Sequence, residues 1–340
     1  MLTSDFVYDL PSEAIAQDAV EPRDSARMLE VPGLRDRRVR DLTEVLAPGD
    51  LLVVNNTRVR SARLYGRKVP TGGRVELLLL RPVGQRDWIA LCRPSRRLTA
   101  GTRLDVGRLT AHLVTAPDQG VVTVRFDEPV AVVEDMLPSL GDLPMPPYFH
   151  GALADGDRYQ TMFAKKVGSA AAPTAGLHFT PELVSALRAR DIHFAEVDLE
   201  VGLDTFRPIA AAKIADHVMH SERYHVPGDT AKAVASARGR GGRVVAVGTT
   251  VVRTLESASD DDGVLAPDLG ETDLFITPGY RFRVVDAVLT NFHAPGTSLM
   301  VMVGAMIGDA WREAYQTALG RGYRFLSFGD AMFIGSVKPS

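Results

Sequence analysis

The chain has 340 residues, 45% of them hydrophobic and 24% charged, the composition of a globular protein long enough for two domains. A formal net charge of −3 argues against a generally basic nucleic-acid binder, and no stretch approaches the roughly 20 apolar residues of a membrane span. The single cysteine, Cys92, excludes an internal disulfide framework and a multi-cysteine zinc site; the opening MLTSDFVYDLPSE lacks signal-peptide regions, so the cytoplasm is the expected location.

In chain order, Asp5 to Arg27 should form a short helix and a charged turn packed on the main domain. GDLLVVNNTRVR predicts a buried strand, Leu51 to Val54, that delivers Asn55, Asn56, Thr57 and Arg58 at its end. Those side chains can read hydroxyls or a carboxylate, or they can close the strand as an Asx turn. From about residue 63 to residue 126, short β runs separated by turns (RVELLLLR, WIALC, TRLDV, RLTAHLVT, GVVTVRF) predict a small antiparallel barrel or sandwich. The charge is uneven here: Arg58 to Arg108 holds thirteen Lys and Arg against three acids, a local excess of ten positive charges that leaves −13 for the remainder. Arg93, Arg96 and Arg97 on one loop suit a grip on a phosphate backbone. A helix, PVAVVEDML, and the proline-rich return GDLPMPPYFHG follow. The domains are therefore expected at 1–62 (main domain, first part), 63–150 (inserted, β-rich and basic) and 151–340 (main domain, second part), with a mixed α/β (α+β) fold for the main domain.

The second part alternates helices and strands. AAAPTAGLHFT, residues 170–180, combines small residues, a turn and His178; Thr180 is a plausible N-cap and Pro181 a first-turn proline of a helix running to about Arg190. HFAEVDLEV reads as a strand ending at the loop GLDTF, and His217, His220 and Glu222 are read at helical spacing. Zinc proteases space their histidines at i and i+4, so ligand hydrogen bonding or core packing fits HVMHSE better than a metal. The strand RVVAV leaves through the turn Gly248-Thr249-Thr250 into a helix, where Arg253 and Glu256, three apart, would pair at the surface. Residues 259–271 form an acidic loop expected to be flexible; DLFITPGYRFRVVDAVLTNFHAPGTSL should hold two strands, and YRFLSFGDAMFI a last one. In NFHAPGT, Asn291 and His293 flank Phe292, which can stack on a base or join the core.

Taken together, NNTRV, AAPTAGLHFT, GLDTFRP, HVMHSE, RVVAVGTTVVRTLES, LTNFHAPGTSLM and YRFLSFGDAMFI, in this order across nearly the whole chain, resemble the S-adenosylmethionine:tRNA ribosyltransferase-isomerase family of queuosine biosynthesis. The resemblance implies a mixed α/β main domain interrupted by a β-rich one. It also implies transfer of the ribosyl moiety of S-adenosylmethionine to an aminomethyl-deazaguanine base at the tRNA wobble position. The moiety is isomerised to give epoxyqueuosine, with adenine and methionine released. S-adenosylmethionine is then a consumed substrate, tRNA the partner, no metal or redox cofactor is called for, and a monomer is expected. Two alternatives within this reading are a relative that acts on an acceptor other than tRNA and a non-catalytic tRNA-binding module.

On this basis His178, His293, Glu200 and Glu222 are the catalytic candidates, with His178 or His293 moving protons. Asn55, Asn56 and Glu222 are assigned to ribose hydroxyls, and the Thr249–Thr250 helix start, with Arg58 or Arg253, to the methionine carboxylate. Thr174, Gly176 and Phe179 in the small-residue stretch, Thr205 in GLDTF, and His217, His220, Asn291 and Thr297 complete the substrate-binding set. Glu200 and Asp204 stand where many members carry His and Gly.

Overall fold

A computed structural model describes residues 1–151, 156–202 and 207–337. The chain divides into two compact units, one of Met1–Thr57, Pro146–Lys166 and Ala172–Ser340, the other of Arg58–Met145 and Val167–Ala171.

The first unit begins with short 3₁₀ turns and then a hairpin, β1 (Arg27–Val31) and β2 (Arg35–Arg38). The one-turn helix α1 (Leu42–Val45) leads into β3 (Leu51–Asn55), in which every residue is buried. The short strand β4 (Thr57–Val59) takes the chain into the second unit. There β5 (Arg63–Val69), β6 (Arg74–Pro82), β7 (Asp87–Arg93), β8 (Arg103–Val106), β9 (Leu109–Leu113) and β10 (Val121–Phe126) close an antiparallel barrel in the order β10-β7-β6-β5-β8-β9. Alternating burial along these strands, as in β8 and β10, points one face of each inward around the fully buried Trp88. Arg60, itself buried, stacks its guanidinium 5.0 Å from the centre of the Trp88 ring and donates to Glu134 of helix α2 (Val130–Leu140) at 2.9 Å. The barrel and the mixed α/β architecture are those expected from the sequence.

The first unit resumes at Pro146, and strand β11 (Lys166–Ser169) precedes the small-residue stretch, which folds as a 3₁₀ turn over Thr174–His178. Helix α3 (Pro181–Arg188) starts as the sequence predicts: Thr180 caps it by accepting from the Leu183 N–H, and Pro181 occupies the first turn. Then come β12 (His193–Leu199), β13 (Glu222–Val226), α4 (Gly228–Gly239), β14 (Val244–Val247), α5 (Thr249–Ser257), β15 (Asp268–Thr272), β16 (Ala287–Asn291), α6 (Ser298–Ile307), α7 (Ala310–Gly320) and β17 (Ala331–Ile334). One nine-stranded sheet runs β15-β13-β12-β3-β14-β16-β17-β1-β2. Its centre, β12-β3-β14-β16, is parallel, and antiparallel pairing begins at β13 on one side and β17 on the other. The unbroken apolar runs of β3 and β14 follow from burial on both faces. Strand β12 lies on one side of β3 and β14 on the other, so the carboxyl ends of the parallel strands open at a reversal of strand order, where α/β sheets place ligands.

Five local expectations fail. HVMHSE is not helical: His217 follows a 3₁₀ turn at Ile214–Asp216, and Glu222 opens β13. The acidic loop is ordered by Asp260, whose carboxylate accepts from the N–H groups of Asp262 and Val264, and by β15, which pairs with β13. Of the two strands expected in residues 273–299, only β16 forms. The N–H groups of Arg283, Val284 and Val285 are instead taken by the buried carboxylate of Glu256, at 2.9, 3.0 and 2.9 Å. Glu256 therefore does not pair with Arg253 at the surface; both are buried and face different partners. Finally, YRFLSFGDAMFI is a strand only from Ala331 onward; the preceding residues form a loop.

Candidate functional site

An open cavity of about 610 Å³, counting its solvent-filled mouth, lies at the carboxyl ends of the parallel strands. The walls are the small-residue stretch from Ala172 to Ala175, the turn Gly248–Thr250 after β14, and residues 290–294 at the end of β16 and just beyond it. Gly248 is a local necessity: its φ is +95°, and a Cβ there would meet the Ala175 Cβ at 3.4 Å. Behind it α5 begins, so unpaired helix-start N–H groups lie beside Thr249 and Thr250 at the cavity edge.

A hydrogen-bonded chain crosses the back wall. Thr174 Oγ1 donates to Asn291 Oδ1 at 2.9 Å, while Asn291 Nδ2 bonds His178 Nε2 at 3.2 Å and the Leu326 carbonyl at 3.2 Å. Because the amide nitrogen only donates, His178 Nε2 accepts, which leaves the proton of a neutral ring on Nδ1. His178 does not line this cavity; it borders a smaller one with Arg23, Leu177 and Ser327. His293 does line the main cavity, with Nε2 2.9 Å from Thr290 Oγ1 and its main chain held by the hydroxyls of Tyr315 and Tyr8.

Burial lowers both histidines to about 4, for His178 with added repulsion from Arg23 and Arg324. Both are therefore neutral near pH 7, able to accept a proton and unable to arrive as imidazolium. The unfolded chain, with histidines near their ordinary 6.5, binds more protons between those two values, so stability must fall as pH drops through that window. The expected slope is about 1.4 kcal/mol per pH unit for each ring. Urea unfolding midpoints measured from about pH 7 to about pH 5 will test this, and a flat profile would contradict it.

A second constellation adjoins the cavity through Thr249, Thr250 and Leu299. Glu222 and Arg253, both nearly inaccessible, form a direct ion pair. Glu222 Oε1 also accepts from the Gly202 N–H at 2.8 Å and lies 3.0 Å from His220 Nε2. Arg253 donates further to the carbonyls of Leu274 and Thr272, both at 3.2 Å. Burial would raise the Glu222 carboxyl, but His220, Arg253 and the Gly202 N–H together hold it below its ordinary range. His217 is turned edge-on to Phe275, with ring centres 5.2 Å apart, and burial lowers its pKa.

The structure thus brings Thr174, Thr249, Thr250, Asn291, His293 and Thr297 to one cavity. Thr297 also caps α6, accepting from the Met300 N–H. Asn55 has no capacity left for a ligand: its amide nitrogen donates to the Leu199 carbonyl and lies 3.4 Å from Thr250 Oγ1, while its oxygen takes Leu199 N–H, Thr57 N–H and Thr57 Oγ1. It ties the ends of β3 and β12 to α5, and its bonds to Thr57 are the Asx turn weighed above. Asn56 donates to Glu196 at 3.0 Å. Phe179 packs against Phe163 and Phe194 in the core, and Gly176 is confined by Thr161, 3.1 Å from where a Cβ would sit. Phe292 is fully buried and stacked on Phe325 at 4.8 Å, so it belongs to the core. Glu200 lies half-buried just past the end of β12. Arg58 belongs to the second unit, and Thr205 and Asp204 lie outside the described residues.

Three polar wall residues lay outside the set expected from sequence: Tyr148, in the stretch read as a proline-rich linker, Thr290, in β16, and Ser327, in the stretch read as a strand. The Gly-Asp pair after Ser327 was the available signal for a loop. Among the described residues, no cluster of three His, Cys, Asp or Glu side chains could hold a metal ion, and no helix is long and apolar enough to cross a membrane.

Residues 3–334 match the model of a family described as queuosine biosynthesis protein. The chain is 48% identical to a protein of Symbiobacterium thermophilum over 98% of its length and 100% of the relative's. It is also 48% identical to one of Heliobacterium modesticaldum, over 96% and 98%. Both relatives are named S-adenosylmethionine:tRNA ribosyltransferase-isomerase. A crystal structure of S-adenosylmethionine tRNA ribosyltransferase from Thermotoga maritima is 38% identical, covers 97% of this chain and 100% of its own, and superposes with a TM-score of 0.54. With its sheet, its barrel and nearly every residue of its length accounted for in these likenesses, the chain belongs to the S-adenosylmethionine:tRNA ribosyltransferase-isomerase family, enzymes of queuosine biosynthesis.

Proposed function

We propose that this chain transfers and isomerises the ribosyl moiety of S-adenosylmethionine onto the aminomethyl-deazaguanine base at the tRNA wobble position, giving epoxyqueuosine and releasing adenine and methionine. The observation that carries the reading is end-to-end likeness, 48% identity over 98% of the chain, to a relative named for this transfer. S-adenosylmethionine enters as a consumed substrate, tRNA as the partner, and the cytoplasm as the setting.

The chemistry asks for a few groups. The sulfonium acidifies the hydrogens of the adjacent ribose 5′-carbon, so a base must take one of them. Adenine must accept a proton as it departs, and the substrate amine must attack the activated carbon before methionine leaves. In our assignment His293, neutral and at the cavity wall, accepts the proton. Thr249 and Thr250, with the N–H groups at the start of α5, receive the methionine carboxylate. Arg253 is not assigned to that carboxylate, because its charge is already balanced by Glu222 and all three of its donor nitrogens are engaged. His178 orients Asn291 through their hydrogen bond.

Purified protein incubated with S-adenosylmethionine and a tRNA bearing the aminomethyl-deazaguanine base should release adenine and methionine together; no release would refute the assignment. Exposed Arg93, Arg96 and Arg97 are assigned to the tRNA backbone. Replacing all three by alanine is expected to weaken tRNA binding across sequences and to lower the slope of log affinity against log salt by up to about 2–3, which filter binding at several salt concentrations would measure.

A further inference from the structure

Strand β5 carries one aromatic side chain that the barrel does not bury. Leu64 and Gly66 face inward and are buried, while Tyr65, between them, is turned outward and 56% exposed. Its place is fixed from below and from the side. A Cβ on Gly66 would meet Val106 Cγ2 at 2.9 Å and the Asp105 carbonyl oxygen at 3.1 Å, so β5 and β8 approach too closely there for a larger residue, and the strand beneath the ring is tightly held. Arg63, two residues back on the same face, donates to the Tyr65 hydroxyl and lies 3.4 Å from Glu76, the residue directly opposite Tyr65 on β6. The tip of the side chain is tethered, and the ring stays open to solvent.

Charge of one sign collects around this ring. Arg67, exposed and two residues further on, stands directly opposite the exposed Arg74 on β6, a like-charge cross-strand pair that costs stability and that a bound anion would relieve. Arg93, also exposed, lies opposite Glu76 on β7. Both acids among the strand residues of this patch are already placed against arginines, Glu76 against Arg63 and Asp105 3.8 Å from Arg103. Five arginines against two acids leave a positive excess beside an exposed aromatic ring.

Single-stranded nucleic acid is bound by this combination: guanidinium groups follow the phosphates, and an aromatic face takes one base whatever its identity. A duplex keeps its base faces stacked on one another, so an RNA with every base paired could use the arginines but not the ring. We propose that Tyr65 is a stacking platform for one unpaired base of the tRNA, with Arg67 and Arg74 on the phosphates next to it, an inference that deepens the function proposed above and rests on it.

Filter binding of the intact protein to tRNA bearing the aminomethyl-deazaguanine base, with a fully paired RNA of equal length as control, separates the ring from the charges. Tyr65→Ala should weaken tRNA binding about 5–100-fold, the scale of one base stacked on an aromatic side chain, and leave the paired RNA unaffected. Tyr65→Phe and Tyr65→Trp keep a stacking face and should stay within about twofold of the wild type. The slope of log affinity against log salt should be unmoved by Tyr65→Ala and lowered by about 1–2 when Arg67 and Arg74 are both replaced by alanine. In turnover, Tyr65→Ala should raise KM for tRNA and leave KM for S-adenosylmethionine unchanged, a split that a general loss of structure would not produce. Wild-type affinity in Tyr65→Ala, a loss in Tyr65→Phe as large as in Tyr65→Ala, or an equal loss on the paired RNA would each overturn the proposal. A wild-type protein that binds tRNA but releases no adenine would count against the function proposed above and leave these affinity ratios to decide the Tyr65 contact, whereas no tRNA binding at all would overturn both.

Discussion

Arg253→Met should destabilise the first unit by about 3–5 kcal/mol, because it leaves the Glu222 carboxylate buried without its cation. The carbonyls of Thr272 and Leu274 also lose their donors, so the attachment of β15 to α5 goes with the ion pair. The double variant Arg253→Met with Glu222→Gln should recover part of the loss, since the uncompensated charge is then gone. Urea or guanidinium unfolding reads both values; a single-variant loss under about 1 kcal/mol would mean that His220 and the Gly202 N–H suffice to hold the carboxylate. Because α5 carries Thr249 and Thr250 at the cavity edge, the destabilised protein should also release adenine more slowly.

His293→Ala should lower the rate of adenine release about 10²–10⁴-fold with the fold intact, the usual loss when a positioned base is removed. His178→Ala should cost far less, about tenfold, because that ring reaches the cavity only through Asn291. The ordering of the two variants is the informative result: equal losses would place both rings in proton transfer, and a larger loss for His178 would reverse the assignment. The pH dependence carries the same information. With His293 lowered to about 4, its basic form is already complete near neutrality, so the acid limb of kcat/KM should fall well below the ordinary imidazole range.

These expectations rest on distances between residues far apart in the chain, and that is where reading by sequence alone loses ground. Arg253 and Glu256 looked like a surface pair because they are three apart on one helix. Burial decided otherwise: Glu222, 31 residues away, neutralises Arg253, and Glu256 satisfies a run of backbone N–H groups that would otherwise have needed a strand partner. His217 and His220 looked helical from spacing, whereas pairing of β13 between β12 and β15 draws the segment into extended backbone.

What the sequence determined by itself are features with a local physical cause. The apolar run of β3 ending in Asn55, the Thr180 cap with Pro181 behind it, the Gly248 turn into α5 and the alternating strands of the barrel each follow from the stereochemistry or burial of neighbouring residues. The family motifs were legible for the same reason, as contiguous residues. Tertiary structure alone decided which polar groups face the cavity and which are consumed in holding it together. Asn55 spends its hydrogen bonds on the scaffold, His178 stands behind Asn291, and Tyr148 meets Ser327 across 179 residues. A buried polar group must find partners wherever the fold supplies them, and no local pattern records which partner that will be.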